Sequence, residues 1–377
     1  MAKIALFISS LHKGGSERVM VNLAEYLHTR GHQVVLVTQH RDGDEYACDP
    51  AIPRVLSELT PEEIGGNRIV NFLRRYRKLQ KIWKKERPDL ILSFIGKNNV
   101  MALLTARRCR IPVVVSVRGN PESEYEEEKL RKSAMRTFGR AAGVVLQTKR
   151  SGEFFPEQIR KNSVILPNPL NGAFLLPRWE GEREKTVTAV GRLDENKNHR
   201  MMIEAFAALA QEFPAYTLVI YGDGPLREQL QEEIVERGLQ TRILLPGSVT
   251  DVAGVLHRTS AFLLTSDTEG MPNTLLEAMA LGVPCIATDC PCGGPAEVIR
   301  DGENGFLVPV RDAKSLTETL RRILADPELA ERIGTEAQKV REIYAPEKAL
   351  PQWEAYLLER VSSGERKRSV NDKETSG

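Results

Sequence analysis

The chain has 377 residues, of which 41% are hydrophobic and 28% are charged, and its formal net charge is +2. The composition is typical of a globular protein and excludes collagen-like, fully disordered and disulfide-scaffold chains, while the length predicts two or three domains of roughly 100–200 residues. No apolar run reaches the ~18 residues of a membrane span, we expect no secretory signal at the N-terminus, and five dispersed cysteines indicate reduced thiols in a cytosolic protein.

The two halves of the chain carry opposite charge. Residues 1–180 have 30 Lys+Arg and 19 Asp+Glu, whereas residues 181–377 have 23 and 32. This asymmetry predicts two domains with different partners. The basic half is expected to favour anionic surfaces and ligands.

Short apolar runs alternate with longer amphipathic stretches along the chain, which is the pattern of βαβ units and parallel sheets. Most runs are near-continuous in Val, Ile and Leu, as expected for strands that helices cover on both faces. The sequence therefore predicts an α/β protein with two doubly wound parallel-sheet domains. The predicted strands span residues 3–9, 33–38, 89–94, 112–117, 143–147 and 163–166 in the first half, and 186–191, 217–221, 243–245, 261–264, 284–287 and 305–308 in the second.

Glycine, proline and charge interrupt this pattern near residues 171–185. We therefore predict an N-terminal domain over residues 1–175, a C-terminal domain over 176–345, a terminal helix over 346–361 and a disordered tail over 362–377. Doubly wound sheets bind ligands beyond the carboxyl ends of their strands, and clefts between domains are common ligand sites. Functional residues are thus expected in the loops after the strands and in an interdomain cleft.

A glycine-rich loop follows the first predicted strand. Gly14 and Gly15 precede a helix predicted over residues 17–30, with Ser16 as the expected N-cap. Bare backbone amides at a helix N-terminus bind phosphate. The loop has neither the Walker A nor the GxGxxG pattern, so by itself it also fits a plain tight turn.

Residues 68–87 form a basic segment with nine Lys+Arg and one Glu, in which apolar residues recur at helical spacing. A basic amphipathic helix can lie on an anionic membrane. The alternative is a helix packed on the core with a solvated basic face. No nucleic-acid-binding motif accompanies the segment, so we expect no nucleic-acid partner.

Two basic residues follow the first predicted strand of the second half. Arg192 and Lys197 are five positions apart in a loop that begins at Gly191. A guanidinium and an ammonium group at the carboxyl end of a strand can bind a diphosphate together. Taken alone, the loop could equally be a solvated turn with two charges.

Two carboxylates lie further on, with seven residues between them. Glu269 is expected in the loop after the strand at 261–264, and Glu277 in the following helix, with Pro272 in its first turn. Carboxylates at this edge bind ribose or sugar hydroxyls, whereas glycosidase-like hydrolysis would need both to flank one bond. The backbone amides expected to point at negative charge are those of Met271, Asn273 and Thr274.

Together these motifs resemble glycosyltransferase family four. The resemblance rests on the glycines near residue 15, GRLxxxK at 191–197, YGDGPLREQL at 221–230 and SDTEGMPNTLLEAMALGVPCIATD at 266–289, and it covers about residues 1–360. Members of that family are retaining, nucleotide-sugar-dependent enzymes. The resemblance implies the GT-B fold, in which two Rossmann-like domains enclose a cleft.

The resemblance also implies roles for the candidate residues. The amide of Gly15, next to Gly14, would meet the donor phosphate, and Arg192 and Lys197 would bind the diphosphate. Glu269 would hold hydroxyls of the donor sugar. Glu277 would bind the ribose hydroxyls, and Val249, in the segment 247–252, would lie beside the base. The backbone amides of Met271, Asn273 and Thr274 would approach the phosphate or the sugar, whereas Pro272 has no amide hydrogen to donate.

Arg118 departs from the family pattern, because many members have a histidine after the corresponding strand. Arginine stays protonated and is not a general base, but it can stabilise charge or bind an acceptor phosphate. The sequence SVRGNP at 116–121, with the segment 289–297, resembles the branch that transfers N-acetylgalactosamine and related sugars to lipid-linked glycans. The predicted catalytic residues are Arg192, Lys197, Glu269 and Arg118.

The sequence thus predicts a retaining, metal-independent glycosyltransferase without a cofactor. The expected donor is a UDP-sugar such as UDP-GalNAc, UDP-Gal or UDP-GlcNAc, and the expected acceptor is a hydroxyl of a lipid-linked glycan in cell-surface polysaccharide assembly. The expected location is the inner face of the cell membrane, with residues 68–87 on the anionic surface. The alternatives are a nucleotide-sugar epimerase or hydrolase, and a non-catalytic subunit that binds a sugar nucleotide.

Overall fold

The computed structural model describes residues 1–374, with side chains through residue 364. The chain divides into two compact units. The first comprises Met1–Pro169 and the chain from Ala349 onward, and the second comprises Leu170–Lys348. The predicted boundary at 175/176 thus lies six residues beyond the observed one.

The first unit has a seven-stranded, fully parallel sheet in the order β3-β2-β1-β4-β5-β6-β7. Its strands are β1 (Lys3–Ile8), β2 (Gln33–Thr38), β3 (Arg54–Leu56), β4 (Leu90–Phe94), β5 (Val113–Ser116), β6 (Gly143–Leu146) and β7 (Ser163–Ile165). Its helices before the second unit are α1 (Gly15–Thr29), α2 (Arg68–Glu86), α3 (Gly96–Ala106), α4 (Pro121–Glu124), α5 (Glu128–Thr137), α6 (Lys149–Glu153) and α7 (Glu157–Arg160).

Helices cover both faces of this sheet, which explains the continuous apolar runs of its strands. Alternate residues of β1 enter different cores: Ile4 and Leu6 pack on one face with α1, whereas Ala5 and Phe7 pack on the other with α2 and α3. Strand order reverses between β1 and β4, so the carboxyl ends of these two strands are the expected ligand edge.

The second unit has a six-stranded, fully parallel sheet in the order β10-β9-β8-β11-β12-β13. Its strands are β8 (Glu184–Val190), β9 (Thr217–Tyr221), β10 (Ile243–Gly247), β11 (Thr259–Leu264), β12 (Cys285–Thr288) and β13 (Phe306–Val308). Its helices are α8 (His199–Leu209), α9 (Arg227–Glu236), α10 (Val252–Arg258), α11 (Asn273–Ala280), α12 (Gly294–Val298), α13 (Ala313–Ala325), α14 (Pro327–Ala337) and α15 (Arg341–Tyr344). Here the strand order reverses between β8 and β11.

The last helix, α16 (Pro346–Glu374), packs mainly on the first unit. Trp353 is fully buried there, and its indole N–H donates to the Pro167 carbonyl at 2.9 Å. The Glu354 carboxylate accepts from the Tyr26 hydroxyl at 2.9 Å and meets His32 Nε2 at 3.0 Å.

The predicted tail falls on the end of this helix. The sequence led us to expect disorder from residue 362, whereas the structure continues α16 to Glu374. The last three positions of the predicted tail, 375–377, lie outside the described residues.

The prediction of two Rossmann-like parallel-sheet domains is confirmed, with three local corrections. Ser16 is not the N-cap of α1, because the helix already begins at Gly15 with Gly14 as its N-cap. Pro272 precedes α11 as its N-cap rather than lying in the first turn. The strand β3 was not predicted, since three residues at the sheet edge carry too short a pattern.

Candidate functional site

The loops after β8 and β11 in the second unit meet at the point where the strand order reverses. The Lys197 ammonium and the Glu269 carboxylate form an ion pair there, although they are 72 positions apart. Their side chains are only 22% and 13% exposed, so solvent screens the pair less than an ordinary surface pair. The tertiary structure thus brings together a cation and a carboxylate that the sequence had assigned to different parts of a donor.

Hydrogen bonds between the two loops hold this pair in place. The Asn196 amide donates to the Thr268 carbonyl at 3.0 Å and accepts from the Thr268 backbone N–H at 3.1 Å. The Ser266 hydroxyl donates to Glu269 Oε1 at 2.7 Å. Such supporting contacts keep a binding group preorganised.

A further ion pair lies at the same edge. The Arg311 guanidinium donates to Asp267 at 2.6 and 3.0 Å, and Arg311 itself has a left-handed φ of 60°. Asn198, which precedes α8, also has a positive φ of 45°. Strained residues of this kind cluster at functional sites.

Two glycines after β9 allow the backbone to pass directly beneath the Arg192 loop. A Cβ at Gly222 or at Gly224 would collide with the carbonyl oxygens of Gly191 and Leu193, respectively. Gly222 also has a φ of +139°, a conformation that disfavours other residues. The GDGP motif is therefore explained by close backbone approach at this edge.

His199 is a buried imidazole close to Lys197. It is buried at the start of α8, and burial, followed by the nearby Lys197 charge, lowers its pKa to about 4. The imidazole is consequently neutral at neutral pH.

The other predicted residues of the second unit occupy the same edge with different exposure. Arg192 is 73% exposed and lies 3.9 Å from Asp194, so its guanidinium is free to reorient toward a ligand. Glu277 is 2% exposed, on the fifth residue of α11. Met271 is buried. Asn273 and Thr274, at the start of α11, are half-buried, as is Val249 in the loop after β10.

In the first unit, the glycine loop lies at the corresponding edge, at the N-terminus of α1. Gly15 is exposed, and the carboxyl group of Glu17 turns back over Gly14, where a Cβ would collide with it. Burial raises the pKa of Glu17, against the opposing effects of its own backbone N–H, His12 and Arg118. A carboxyl group thus rests where a helix N-terminus attracts anions.

Arg118 lies after β5 and is only 7% exposed. Its guanidinium donates to Asn168 Oδ1 at 2.7 Å and stacks over the Phe94 ring at 4.5 Å. Burial lowers the Arg118 pKa to about 10, while the charges of Glu124 and Glu17 oppose that shift. A charged and largely desolvated guanidinium of this kind is a strong anion-binding group.

Glu124 was missed by the sequence reasoning, because it lies in an acidic run that looks like a solvated surface. Its carboxylate accepts three backbone N–H groups, from Gly96 at 2.8 Å, Arg118 at 3.0 Å and Gly119 at 3.2 Å. It therefore ties the loop after β4 to the loop after β5. The neighbouring Ile95 has a positive φ of 72°, which is rare for a β-branched residue.

Two features are absent from the described part of the chain. Among residues 1–374, no helix is both long and apolar enough to cross a bilayer. Within the same part of the chain, His, Cys, Asp and Glu side chains form no group of three or more that could hold a metal ion.

Comparisons with known proteins agree with this geometry. The model of "Glycosyltransferase Family 4" matches residues 13–171, and that of "Glycosyl transferases group 1" matches residues 178–340. A Campylobacter jejuni protein named GalNAc-alpha-(1->4)-GalNAc-alpha-(1->3)-diNAcBac-PP-undecaprenol alpha-1,4-N-acetyl-D-galactosaminyltransferase is 26% identical over 90% of this chain and 93% of its own. The amylovoran biosynthesis glycosyltransferase of Erwinia amylovora is 25% identical over 95% of this chain and 100% of its own.

Solved structures share the fold. Anabaena HepE in complex with UDP matches with a TM-score of 0.80 and 19% identity, over 95% of this chain and 100% of that one. Sucrose-phosphate synthase from Thermosynechococcus elongatus matches with a TM-score of 0.80 and 19% identity, over 96% and 100%. The fold and the two family models, which together cover most of the sequence, define a glycosyltransferase: the chain belongs to glycosyltransferase family four.

Proposed function

We propose that this chain transfers a sugar from a UDP-sugar to a hydroxyl of a lipid-linked glycan, with retention of the anomeric configuration. The observation that carries the proposal is the Lys197–Glu269 pair at the strand-order reversal of the second unit. Lys197 supplies positive charge for a diphosphate, and Glu269 supplies acceptors for sugar hydroxyls. A nucleotide sugar is the ligand in which both groups are joined.

The ligands and substrates named for the similar proteins support the choice of donor and acceptor. HepE was solved with UDP and with UDP-glucose, and the Campylobacter relative is named for N-acetylgalactosamine transfer to a diphosphoundecaprenol-linked glycan. We assign UDP as the nucleotide of this chain, and UDP-GalNAc as the first donor to test. The SVRGNP sequence around Arg118 supports that order of testing.

Charge neutralisation is the proposed source of catalysis. As the bond between the anomeric carbon and the β-phosphate oxygen breaks, its electron pair passes to the diphosphate, and Lys197 and Arg192 stabilise the resulting charge. The acceptor oxygen forms its bond on the face that the diphosphate leaves. Its proton passes to the departing phosphate oxygen, so no protein base is needed. The charge that a metal ion would otherwise neutralise is assigned to Lys197 and Arg192.

We assign the acceptor to the first unit. Arg118 has a buried guanidinium, and a hydrogen bond to Glu124 holds its loop in place. We propose that Arg118 binds an anionic group of the acceptor and does not transfer a proton. The amides at Gly14 and Gly15, at the α1 N-terminus, are proposed to bind the phosphate of the donor rather than the acceptor. Occupation of this N-terminus by a phosphate would displace the Glu17 carboxyl group.

The α2 helix is the proposed membrane contact, and it combines the two alternatives that the sequence left open. Its second half packs on the core through Leu79, Ile82 and Trp83, which are buried. Its first half leaves Phe72 exposed, and Ile69 is 69% exposed. Within the described residues, six basic residues of α2 have no carboxylate within 4 Å: Arg68, Arg74, Arg77, Lys81, Lys84 and Lys85.

Replacing Arg77, Lys81, Lys84 and Lys85 together by Gln should weaken binding to vesicles that contain phosphatidylserine. Each basic residue near such a surface contributes about 1 kcal/mol, which is about fivefold in affinity per residue. The matched control replaces the exposed α5 residues Lys129, Arg131, Lys132 and Arg136 by Gln. Vesicle co-sedimentation at several salt concentrations measures both variants, and equal binding by the two would contradict the α2 assignment.

The proposed function is tested by incubating the protein with a panel of UDP-sugars, with and without a synthetic diphosphoundecaprenol-linked glycan. We expect acceptor-dependent transfer that persists in EDTA, and nuclear magnetic resonance of the product should show the anomeric configuration of the donor. Free sugar or an epimer formed without acceptor would instead favour the hydrolase or epimerase alternative. UDP-sugar binding without turnover on any acceptor would favour a non-catalytic subunit.

A further inference from the structure

A cavity of about 700 Å³ lies in the first unit at the amino ends of its strands. Pro112, Ala142 and Asn162, which line it, immediately precede β5, β6 and β7. Arg118 and the other candidate residues of this unit follow the opposite, carboxyl ends of the strands. The cavity is therefore separate from the proposed acceptor site, and its volume is within the usual range for ligand pockets.

The wall of the cavity combines cations with an apolar floor. Four arginines line it, together with apolar residues that include Leu103 and Ile111. No carboxylate lies within 4 Å of Arg107 or Arg140 among the described residues, and both arginines are exposed. The four arginines are Arg107, Arg110, Arg140 and Arg360.

One of these cations is only partly hydrated. Arg360, on α16, has a side chain that is 27% exposed and stacks over the Tyr356 ring at 4.6 Å. Its Nε is buried without a hydrogen-bond partner in the described part of the chain, and Glu359 approaches only its far end, at 3.6 Å. An anion in the cavity would give this guanidinium a second anionic partner beside Glu359.

The cavity also adjoins the proposed membrane helix. The Tyr76 hydroxyl of α2 donates to the Leu104 carbonyl at 3.3 Å, and Leu104 lines the cavity. The α2 helix further packs against the turn that carries Arg107. The proposed membrane helix is therefore in direct contact with the wall of the cavity.

We propose that this cavity binds an anionic amphiphile, in which a phosphate group meets the arginines and a hydrocarbon chain occupies the apolar floor. Arginine guanidinium groups match phosphate geometry, and the apolar residues favour an attached chain over free phosphate. The occupant we assign is an anionic phospholipid. The proposal does not depend on the identity of the donor or the acceptor.

The test uses dihexanoyl phosphatidic acid below its micellar concentration, with binding to the full chain measured by isothermal titration calorimetry. Dihexanoyl phosphatidylcholine and inorganic phosphate are the comparison ligands. We expect binding of the phosphatidic acid that weakens by about tenfold or more in Arg107→Gln/Arg140→Gln, because each lost charge-assisted contact to phosphate is worth about a factor of ten. Thermal unfolding verifies that this variant is folded.

Two control variants locate the effect. Arg108→Gln/Arg136→Gln removes the same charge from exposed neighbours that do not line the cavity, and it should bind as the unaltered protein does. The α2 variant with four Gln substitutions should also bind the short-chain lipid normally. Equal affinity for phosphatidylcholine, equal affinity for inorganic phosphate, or an equal loss in the Arg108/Arg136 control would each overturn the proposal.

Discussion

Replacing Lys197 by Ala should lower the turnover of sugar transfer by about 10²–10³-fold, equivalent to about 2.7–4 kcal/mol, which is the usual loss for one preorganised group that stabilises developing charge. The reason is geometric: Glu269 and the Asn196–Thr268 hydrogen bonds hold Lys197 in place before any ligand binds. Arg192→Ala should have a smaller effect, because that guanidinium is exposed and loses conformational freedom when it engages a diphosphate. Steady-state kinetics with saturating acceptor measures both.

The control for Lys197 is Arg200→Ala. Arg200 lies three positions away on α8, is exposed, and pairs with Gln229 at 3.1 Å rather than with a candidate site residue. Its loss should leave turnover within about twofold, since surface substitutions away from special features change little. Wild-type turnover in both Lys197→Ala and Arg192→Ala would contradict the proposed diphosphate contact.

Replacing Glu277 by Gln should weaken UDP binding by about 10- to 150-fold, because hydrogen bonds to a charged group are worth about 1.5–3 kcal/mol. Glu277 is 2% exposed on α11, so its carboxylate is a fixed acceptor that solvent does not screen. Calorimetry with UDP measures the change directly. In kinetics the donor KM should rise, while kcat at saturating donor should change much less.

Glu228→Gln on α9 is the matched control for this prediction, since it removes the same charge from an exposed position of the same unit. UDP affinity equal to that of the wild type in Glu277→Gln would refute the ribose-binding role. The melting temperature of Glu277→Gln without UDP shows whether the variant is still folded. If only the contact with UDP is lost, added UDP should raise the melting temperature of the variant by less than that of the wild type.

The local features of the two sheets could be predicted from the sequence because their causes are local. Strands such as β2 and β9 were predicted with their observed bounds, since a buried parallel strand must be apolar on both faces and therefore has an unmistakable pattern. The three residues of β3 escaped prediction because an edge strand, which is covered less, does not need that pattern. The positions of the loops that hold Lys197 and Glu269 could be predicted because each loop directly follows a predicted strand.

The pairing of side chains, in contrast, depended on strand order. Lys197 and Glu269 meet because β8 and β11 are neighbours in the sheet, although β9 and β10 separate them along the chain. Arg118 and Asn168 are likewise 50 positions apart. Sequence spacing carries no information about which strands become neighbours, so these contacts could not be predicted from the sequence.

The sequence by itself determined the class of fold, the family and the loops that carry the candidate chemistry, because periodicity and residue type are local properties of the chain. Only the tertiary structure decided which cations have partners, how Glu124 joins three backbone amides around Arg118, and where four arginines surround a cavity. The physical reason is that charge and hydrogen bonding act through distances of a few ångströms, and those distances exist only after the strands have taken their order in the sheet.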